Sequence, residues 1–436
     1  MEEYPLPLAN CALGVVGNFP LTNQRSVIES SIAYTSENEH APYNISLDGS
    51  LQDNFADFQI AESKGLIDLS DLTLELGGKV TAEDGKALGD EHNVVLANNG
   101  LHSFIKSITL FMNGTQVEVQ PNYNYNSYLK NITNFDKSDI PTKGTLFGLR
   151  LPEFNPKEFT DETFEGMHND LKKEMKRIKE HGFHFKGPLQ LDVASAPSYL
   201  INNVPLRIRI ELNEHGNILG SPNLKPKVKI EKMKLYTRVL YMRPNADLAL
   251  QKSIANKPLV YHFTKFHTKN YILPAQQKVL YCENPFLSHV PSKIYIVLMD
   301  HQSYASSSYK LNPYRFDHCK LQRVTITLND NIKYDISCNF PHDYTNIYYD
   351  TLKSLGGGTH HLLKRKYFDH GSTILVFNME NEILENGIHL NKSGTLRIQI
   401  TLAEPPPNNI SCYMMGESQS YFQISHDRRV TLHSPL

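Results

Sequence analysis

The sequence predicts an all-β chain made of two tandem copies of one antiparallel β-domain, each folded as a sandwich or jelly roll. Three observations carry that reading: a strand-turn-strand signature that occurs twice, later strands that return in the same order, and a near absence of helical periodicity. The clearest copy of the signature is Leu311–Asp335. Within it, Val324–Asn329 alternates apolar and polar residues with period two, as a strand buried on one face does. Asn329-Asp330 supplies a turn, and a return strand starts over Ile332–Ile336. The other copy is Leu101–Gly114, ending in the turn dipeptide Asn113-Gly114. In each copy a histidine stands eleven positions before the turn asparagine: His102 before Asn113, and His318 before Asn329, an offset of 216 residues. A tyrosine-rich segment follows each turn, Tyr123–Leu129 and Tyr344–Leu352.

The correspondence continues downstream. Leu206-Arg-Ile-Arg-Ile-Glu-Leu212 returns as Leu396-Arg-Ile-Gln-Ile-Thr-Leu402, 190 residues later. Each is preceded by a glycine-led apolar run, Gly187–Asp192 and Gly371–Phe377, and followed by another alternating stretch, Val228–Met242 and Ile410–Ile424. Same elements in the same order imply duplication of a domain of about 200 residues, the size of one β-sandwich.

Taken in order, residues 1–25 lack periodicity and contain Pro5, Pro7 and Pro20, so they read as an extended N-terminal arm. The first domain is expected over 26–244, with strands at Val27–Thr35 and Tyr43–Leu51 and an alternating Leu72, Leu74, Leu76. Residues 136–183 form an insertion decorating that domain. It contains one clear helix: Asn169 or Asp170 caps it, Leu171, Met175 and Ile178 share a face, and Gly182 stops it. The opposite face carries Lys172, Lys173, Lys176, Arg177 and Lys179, a solvated basic face. A linker at 245–257 holds a short helix between Pro244 and Pro258. The second domain, 258–436, opens with strands at Leu259–Phe266 and Ile294–Leu298.

Composition narrows the function classes. Among 436 residues, Lys+Arg 44 against Asp+Glu 46 leaves a net charge of −2, so no global field favours nucleic acid or an anionic membrane. No run of 18 uncharged apolar residues exists, so no membrane span is expected. The five cysteines (11, 282, 319, 338, 412) are far apart, with no CxxC pair, which fits a fold needing no disulfide framework. Chemistry is hard to place. Gly356–Lys366 lacks the Gly-Lys-Ser/Thr end of a phosphate loop and reads as a surface loop. His262 and His267 fall on opposite faces of a strand, His181 and His184 likewise, and adjacent His360 and His361 cannot easily close on one ion. Gly416-Glu-Ser-Gln-Ser breaks the nucleophile-elbow pattern, and Glu380, Glu382 and Glu385 read as solvent-facing acids rather than a glycosidase pair. No catalytic, cofactor-binding or metal-ligating residue is assigned, and no enzyme activity is expected.

Several stretches together resemble the major capsid proteins of Polinton (Maverick, adintovirus-like) elements and related double-jelly-roll DNA viruses. They are Leu66–Leu74, Asn99–Phe104 with the Asn113-Gly114 turn, Tyr125–Leu129, Gly187–Asp192, Leu273-Pro274, Glu283–Phe286, Asn312–His318 and Phe340–Tyr344. The matches run in order from about residue 66 to residue 430; Asp136–Phe183 departs from the family's pattern. The resemblance implies two tandem eight-stranded jelly rolls with a few short helices in loops. It also implies homotrimeric, pseudo-hexameric capsomers that tile an icosahedral shell in the virion, assembled inside the host cell. Partners would be other copies of the chain, neighbouring capsomers and a penton or minor capsid protein. Sequence-specific nucleic-acid binding is not implied. A carbohydrate- or receptor-binding β-sandwich protein would share the strand pattern and is the alternative.

Overall fold

A computed structural model describes residues 43–44, 54–60, 63, 65–287, 289–356, 362–380 and 392–433. The predicted arm over 1–25, the predicted strand Val27–Thr35, Cys11, His360, His361, Glu382 and Glu385 lie outside these residues.

In the first half the chain forms β1 (Tyr43–Asn44), β2 (Phe55–Ile60), β3 (Thr73–Thr81), β4 (Ile105–Met112) and β5 (Thr115–Gln120). Two helices follow, α1 (Tyr123–Asn134) and α2 (Asn169–His181), and then β6 (Phe183–Pro188), β7 (Leu206–Leu212) and β8 (Lys227–Tyr236). Helix α3 (Pro244–Asn256) leads to the second half. That half contains β9 (Leu259–Leu273), β10 (Val279–Glu283), β11 (Lys293–Asp300), β12 (Leu321–Leu328) and β13 (Asn331–Ser337). It continues with α4 (Thr345–Ser354), β14 (Ile374–Asn378), β15 (Leu396–Leu402), β16 (Ile410–Ile424) and β17 (Val430–His433).

Pairing is antiparallel throughout these strands and identical in the two halves. One sheet runs β1-β8-β3-β6 and its counterpart β9-β16-β11-β14; the other runs β2-β7-β4-β5 and its counterpart β10-β15-β12-β13. Each half is therefore an eight-stranded jelly roll of two four-stranded sheets, and the chain is a double jelly roll, as the repeat implies. Strand β17 adds to β16 beyond the reach of β11. Between the facing sheets, alternate positions fill one core per half, for example Phe58, Leu74, Leu76, Leu110 and Ile208 in the first, and Ile294, Ile296, Ile326, Ile398 and Phe422 in the second.

The duplicated turns have the geometry their residues favour. Asn113 and Gly114 both have positive φ (45° and 79°), as do Asn329 and Asp330 (49° and 62°), so each joins its strands through a two-residue loop whose twist matches the strands. The duplicated histidines both meet aromatic rings: His102 Nδ1 lies 2.9 Å from Tyr123 Oη, and the His318 ring stacks at 4.8 Å on Phe340, which in turn stacks on Tyr344.

The structure adds four details to what the sequence shows. The tyrosine-rich segments are helices, α1 and α4, in the β5–β6 and β13–β14 connections, where each satisfies its own backbone. Gly65–Leu76 is not one strand: Asp68 accepts from Ser70 N and starts a 3₁₀ turn over Leu69–Asp71, so β3 begins only at Thr73. The sixth strand of the first half ends at Pro188 instead of running through Gly187–Asp192, and the glycine-led run supplies loop residues. The insertion does not simply decorate the first half; its middle is pinned to the second by Phe159 N to Lys310 O (2.8 Å), Asn155 Nδ2 to Gly371 O (2.6 Å) and Tyr367 Oη to Glu153 Oε1 (2.6 Å). Its helix has the expected buried face of Leu171, Met175 and Ile178, with Gly182 at its end (φ 80°).

At Gly78 the strand β3 passes so close to β8 that a Cβ would stand 2.2 Å from Lys229 O, a backbone atom that cannot turn aside. Gly78→Ala is expected to destabilise the chain by about 1–3 kcal/mol through this overpacking, measured as a lowered midpoint in thermal or urea unfolding.

Candidate assembly surfaces

The features that join surfaces in this protein start with the seam between the two halves. Helix α1 lies on the outer face of the β9-β16-β11-β14 sheet. Tyr413, on that face of β16, donates a 2.6 Å hydrogen bond to Asn126 Oδ1, and the Tyr125 ring lies within 5.5–5.7 Å of Tyr304, Tyr314 and Tyr413. All residues of α1 from Tyr123 to Thr133 are buried, although the segment is rich in Asn and Tyr. Further ties run from Ile201 N to Tyr261 Oη (3.2 Å) and from Thr264 N to Ser195 Oγ (2.8 Å). Near the C-terminus, Arg428 Nε reaches Asn202 O (3.0 Å), while Arg428 O accepts from Asn113 Nδ2 (3.0 Å) in the β4–β5 turn.

Under α1 sits a buried charged cluster. Glu118 and Asp192 are each 2% exposed and Lys130 is 7% exposed. Lys130 Nζ stands 2.9 Å from Asp192 Oδ1 and 3.9 Å from the centre of the Phe266 ring in the second half. Asp192 Oδ2 accepts from Phe266 N (2.9 Å), so this carboxylate carries the link between halves. Glu118 accepts from Asp192 N (2.8 Å), Val193 N (3.0 Å) and Gln120 Nε2 (2.6 Å). Burial, and then the nearby Asp192 charge, push the Glu118 carboxyl up to about 7 despite those donors. These residues were not singled out by sequence, and β5 explains why. Its pattern Val117-Glu-Val-Gln120 points the valines inward, but a register shift at Leu110/Phe111 leaves Val119 43% exposed and turns Glu118 and Gln120 in beside Leu110 and Ile108.

A second surface is the outer face of β1-β8-β3-β6. Alternation along β8 and its partners places Lys227, Lys229, Lys232, Lys234, Lys79 and Lys186 on it, with Lys79, Lys186, Lys227 and Lys229 exposed. At its centre Glu75, 5% exposed, is held by Lys232, Tyr236 and His184, whose Nε2 is 2.7 Å away. Burial opposes ionisation of Glu75, but those three hydrogen bonds outweigh it and bring the carboxyl down to about 2. His184 is thus a carboxylate partner. The basic face of α2 divides: Lys172, Lys173, Lys176 and Arg177 are exposed, while Lys179 Nζ binds the carbonyls of Asp90 (3.1 Å), His92 (3.3 Å) and Gly89 (3.4 Å).

A third feature is shared by both halves. The edge strands of the β2-β7-β4-β5 sheet expose Phe55 (46%) and Val119, and those of its counterpart expose Tyr281 (66%) and Ile332 (65%). Among the described residues, no three His, Cys, Asp or Glu side chains are grouped to hold a metal ion. His262 and His267 separate as expected, the first beside Tyr421 and the second beside His289. Cys282, Cys319, Cys338 and Cys412 are free thiols, and burial pushes Cys282 and Cys338 up to about 12, where they act as small apolar residues. No helix among the described residues is long and apolar enough to cross a membrane.

Lys130→Met removes the ammonium that stands 2.9 Å from Asp192 Oδ1 and weakens the compensation of the buried carboxylates. A loss of about 3–5 kcal/mol in unfolding free energy is expected. Between pH 4.5 and about 7 the folded chain keeps a proton on Glu118 that the unfolded chain has released, so this group makes stability fall as pH rises through that window and level off above it. Urea unfolding as a function of pH checks this, and Glu118→Gln is expected to flatten the slope.

No known protein family matches this sequence, and no curated protein matches it. Solved structures do resemble it. The mavirus major capsid protein aligns over 93% of this chain and 94% of its own, at 10% identity and a TM-score of 0.51. A chain in the cryo-EM structure of the Sputnik virophage aligns over 91% and 88%, at 11% identity and a TM-score of 0.59. The Faustovirus major capsid protein aligns over 85% and 87%, at 8% identity and a TM-score of 0.50. At these identities the likeness is one of fold: the double jelly roll extends along nearly the whole of each chain.

Proposed function

We propose that this chain is a viral major capsid protein, a building block of a shell and not a catalyst. The observation that carries the proposal is the pairing of two sibling jelly rolls in one chain, over nearly the full length it shares with capsid proteins of that architecture. Three copies set in a ring would present six similar walls, so that tiles of one protein pack edge to edge in flat, near-hexagonal arrays on an icosahedral shell. The protein would then be found in the virion, having assembled inside the host cell, with other capsomers and a penton or minor capsid protein as neighbours. The affiliation to Polinton-like DNA viruses belongs to the same proposal, as does the division into an arm (1–25), a first roll (26–244), a linker (245–257) and a second roll (258–436).

Stability of such a shell comes from many modest contacts at tile edges. The repeated exposed residues Phe55, Val119, Tyr281 and Ile332 suit contacts of that kind. Light scattering on the purified chain is expected to give three times 49.7 kDa, and negative-stain microscopy to reveal hexagonal tiles or shells. A strictly monomeric protein that binds sugars would overturn the proposal in favour of a carbohydrate- or receptor-binding role.

A further inference from the structure

We propose that residues 190–195 form a proton-operated latch between the two rolls, closed while Glu118 and Asp192 share one proton and loosened when that proton leaves. The proposal concerns the seam itself and does not rest on the capsomer reading.

The segment lies between β5 of the first half and β9 of the second. Toward β5, Asp192 N and Val193 N donate to Glu118 Oε1 (2.8 Å) and Oε2 (3.0 Å). Toward β9, Asp192 Oδ2 accepts from Phe266 N (2.9 Å), and Ser195 Oγ accepts from Thr264 N (2.8 Å). Strand β9 pairs with β16 along its other edge, so side chains of the segment satisfy these two amides where no strand does. One short stretch of chain thus holds a carboxylate of one half and the backbone of the other.

Without an added proton the closed latch is one hydrogen short. Gln120 Nε2 carries two hydrogens, and three oxygens surround it: Glu118 Oε1 (2.6 Å), Gln190 O (3.0 Å) and Asp192 Oδ1 (3.1 Å). Lys130 Nζ, 3.4 Å from Gln190 O, is too distant to replace the amide there. Two of the three oxygens belong to different carboxylates, both almost fully buried and both drawn to the same nitrogen. The ammonium of Lys130, bonded to Asp192 Oδ1 at 2.9 Å, balances one of them. A proton on the pair balances the other and supplies the missing hydrogen.

The remaining titratable groups that face this site are Tyr123 and His102 on the α1 side and Lys265 on β9. Tyr123 and His102 form a neutral pair, their Oη and Nδ1 2.9 Å apart: burial pushes the phenol up and holds the imidazole down at about 3. Burial lowers Lys265, while Asp192 and Glu118 act to raise it. Glu118 is the group that changes charge near neutrality, since burial and then the Asp192 charge raise it from 4.5 to about 7. Opening the seam admits water and returns Glu118 to its ordinary value. The closed seam therefore binds the proton more tightly than the open one; it is favoured at low pH and loses that advantage as pH rises toward 7.

Hydrogen exchange of the full chain, read by mass spectrometry and corrected for the intrinsic rate at each pH, tests this. Peptides containing Thr264 and Phe266 are expected to lose about 50-fold in protection between pH 5 and pH 8, while peptides of β12 in the same roll keep theirs. Glu118→Gln, which keeps the shape of the side chain and cannot ionise, is expected to remove the difference; the pH series on the unmodified chain stands without it. Protection at Thr264 and Phe266 that does not respond to pH, or a response that survives in Glu118→Gln, overturns the latch. An equal loss in β12 overturns it as well, because the proton would then hold the whole fold and not the seam.

Discussion

The structure depends on how α1 is held between the two rolls. A helix rich in Asn and Tyr is fully buried, which is stable only because its polar atoms find partners: Asn126 with Tyr413, Asn131 Nδ2 with Asn99 Oδ1 (2.8 Å), and Lys130 with Asp192. A buried polar seam of this kind contributes less net free energy than an apolar one of equal size, but it tolerates little displacement, because every misplaced group would be buried without a partner. The two rolls are therefore set in one relative position, which any larger assembly built from paired rolls requires.

The seam also explains an asymmetry between copies that began alike. The second roll's outer sheet face carries Tyr413, Phe266 and Tyr295, residues suited to burial, with Tyr295 Oη bonded to Glu417 Oε1 at 2.5 Å. The first roll's equivalent face carries lysines at alternate positions, suited to water or to an acidic partner. Conversely, α1 is buried on all sides while α4 buries Ile347, Thr351 and Ser354. The two faces occupy equivalent places in rolls of one strand order and differ in residue type: one is covered by α1, the other carries lysines.

Polar groups on the outer sheet face of the first roll are arranged with similar economy. Glu75 gathers Lys232, Tyr236 and His184 around one carboxylate, which ties the middle strands β3 and β8 to the edge strand β6 through side chains as well as backbone. An edge strand flanked by charged side chains is a poor template for unwanted strand addition.

Much of this was legible in the sequence because it depends on local periodicity. Alternation marked β12, β15 and β16, the dipeptides Asn113-Gly114 and Asn329-Asp330 marked both hairpins, and the 3.6-residue pattern of Leu171, Met175 and Ile178 marked α2. Repetition at a long offset then revealed the duplication, since it needs no knowledge of contacts. The helical state of α1 and α4 was not legible, because tyrosine and asparagine are weak helix formers and tertiary contacts, with Tyr413 for α1 and with β14 for α4, favour the helix there. Nor could the pattern of β5 disclose the buried Glu118, because one register shift exchanged its faces. By itself, then, the chain's sequence determined the kind and order of its strands and their duplication. The tertiary structure alone decided which faces meet, because that choice depends on groups far apart in the chain finding charge and hydrogen-bond partners at the same place.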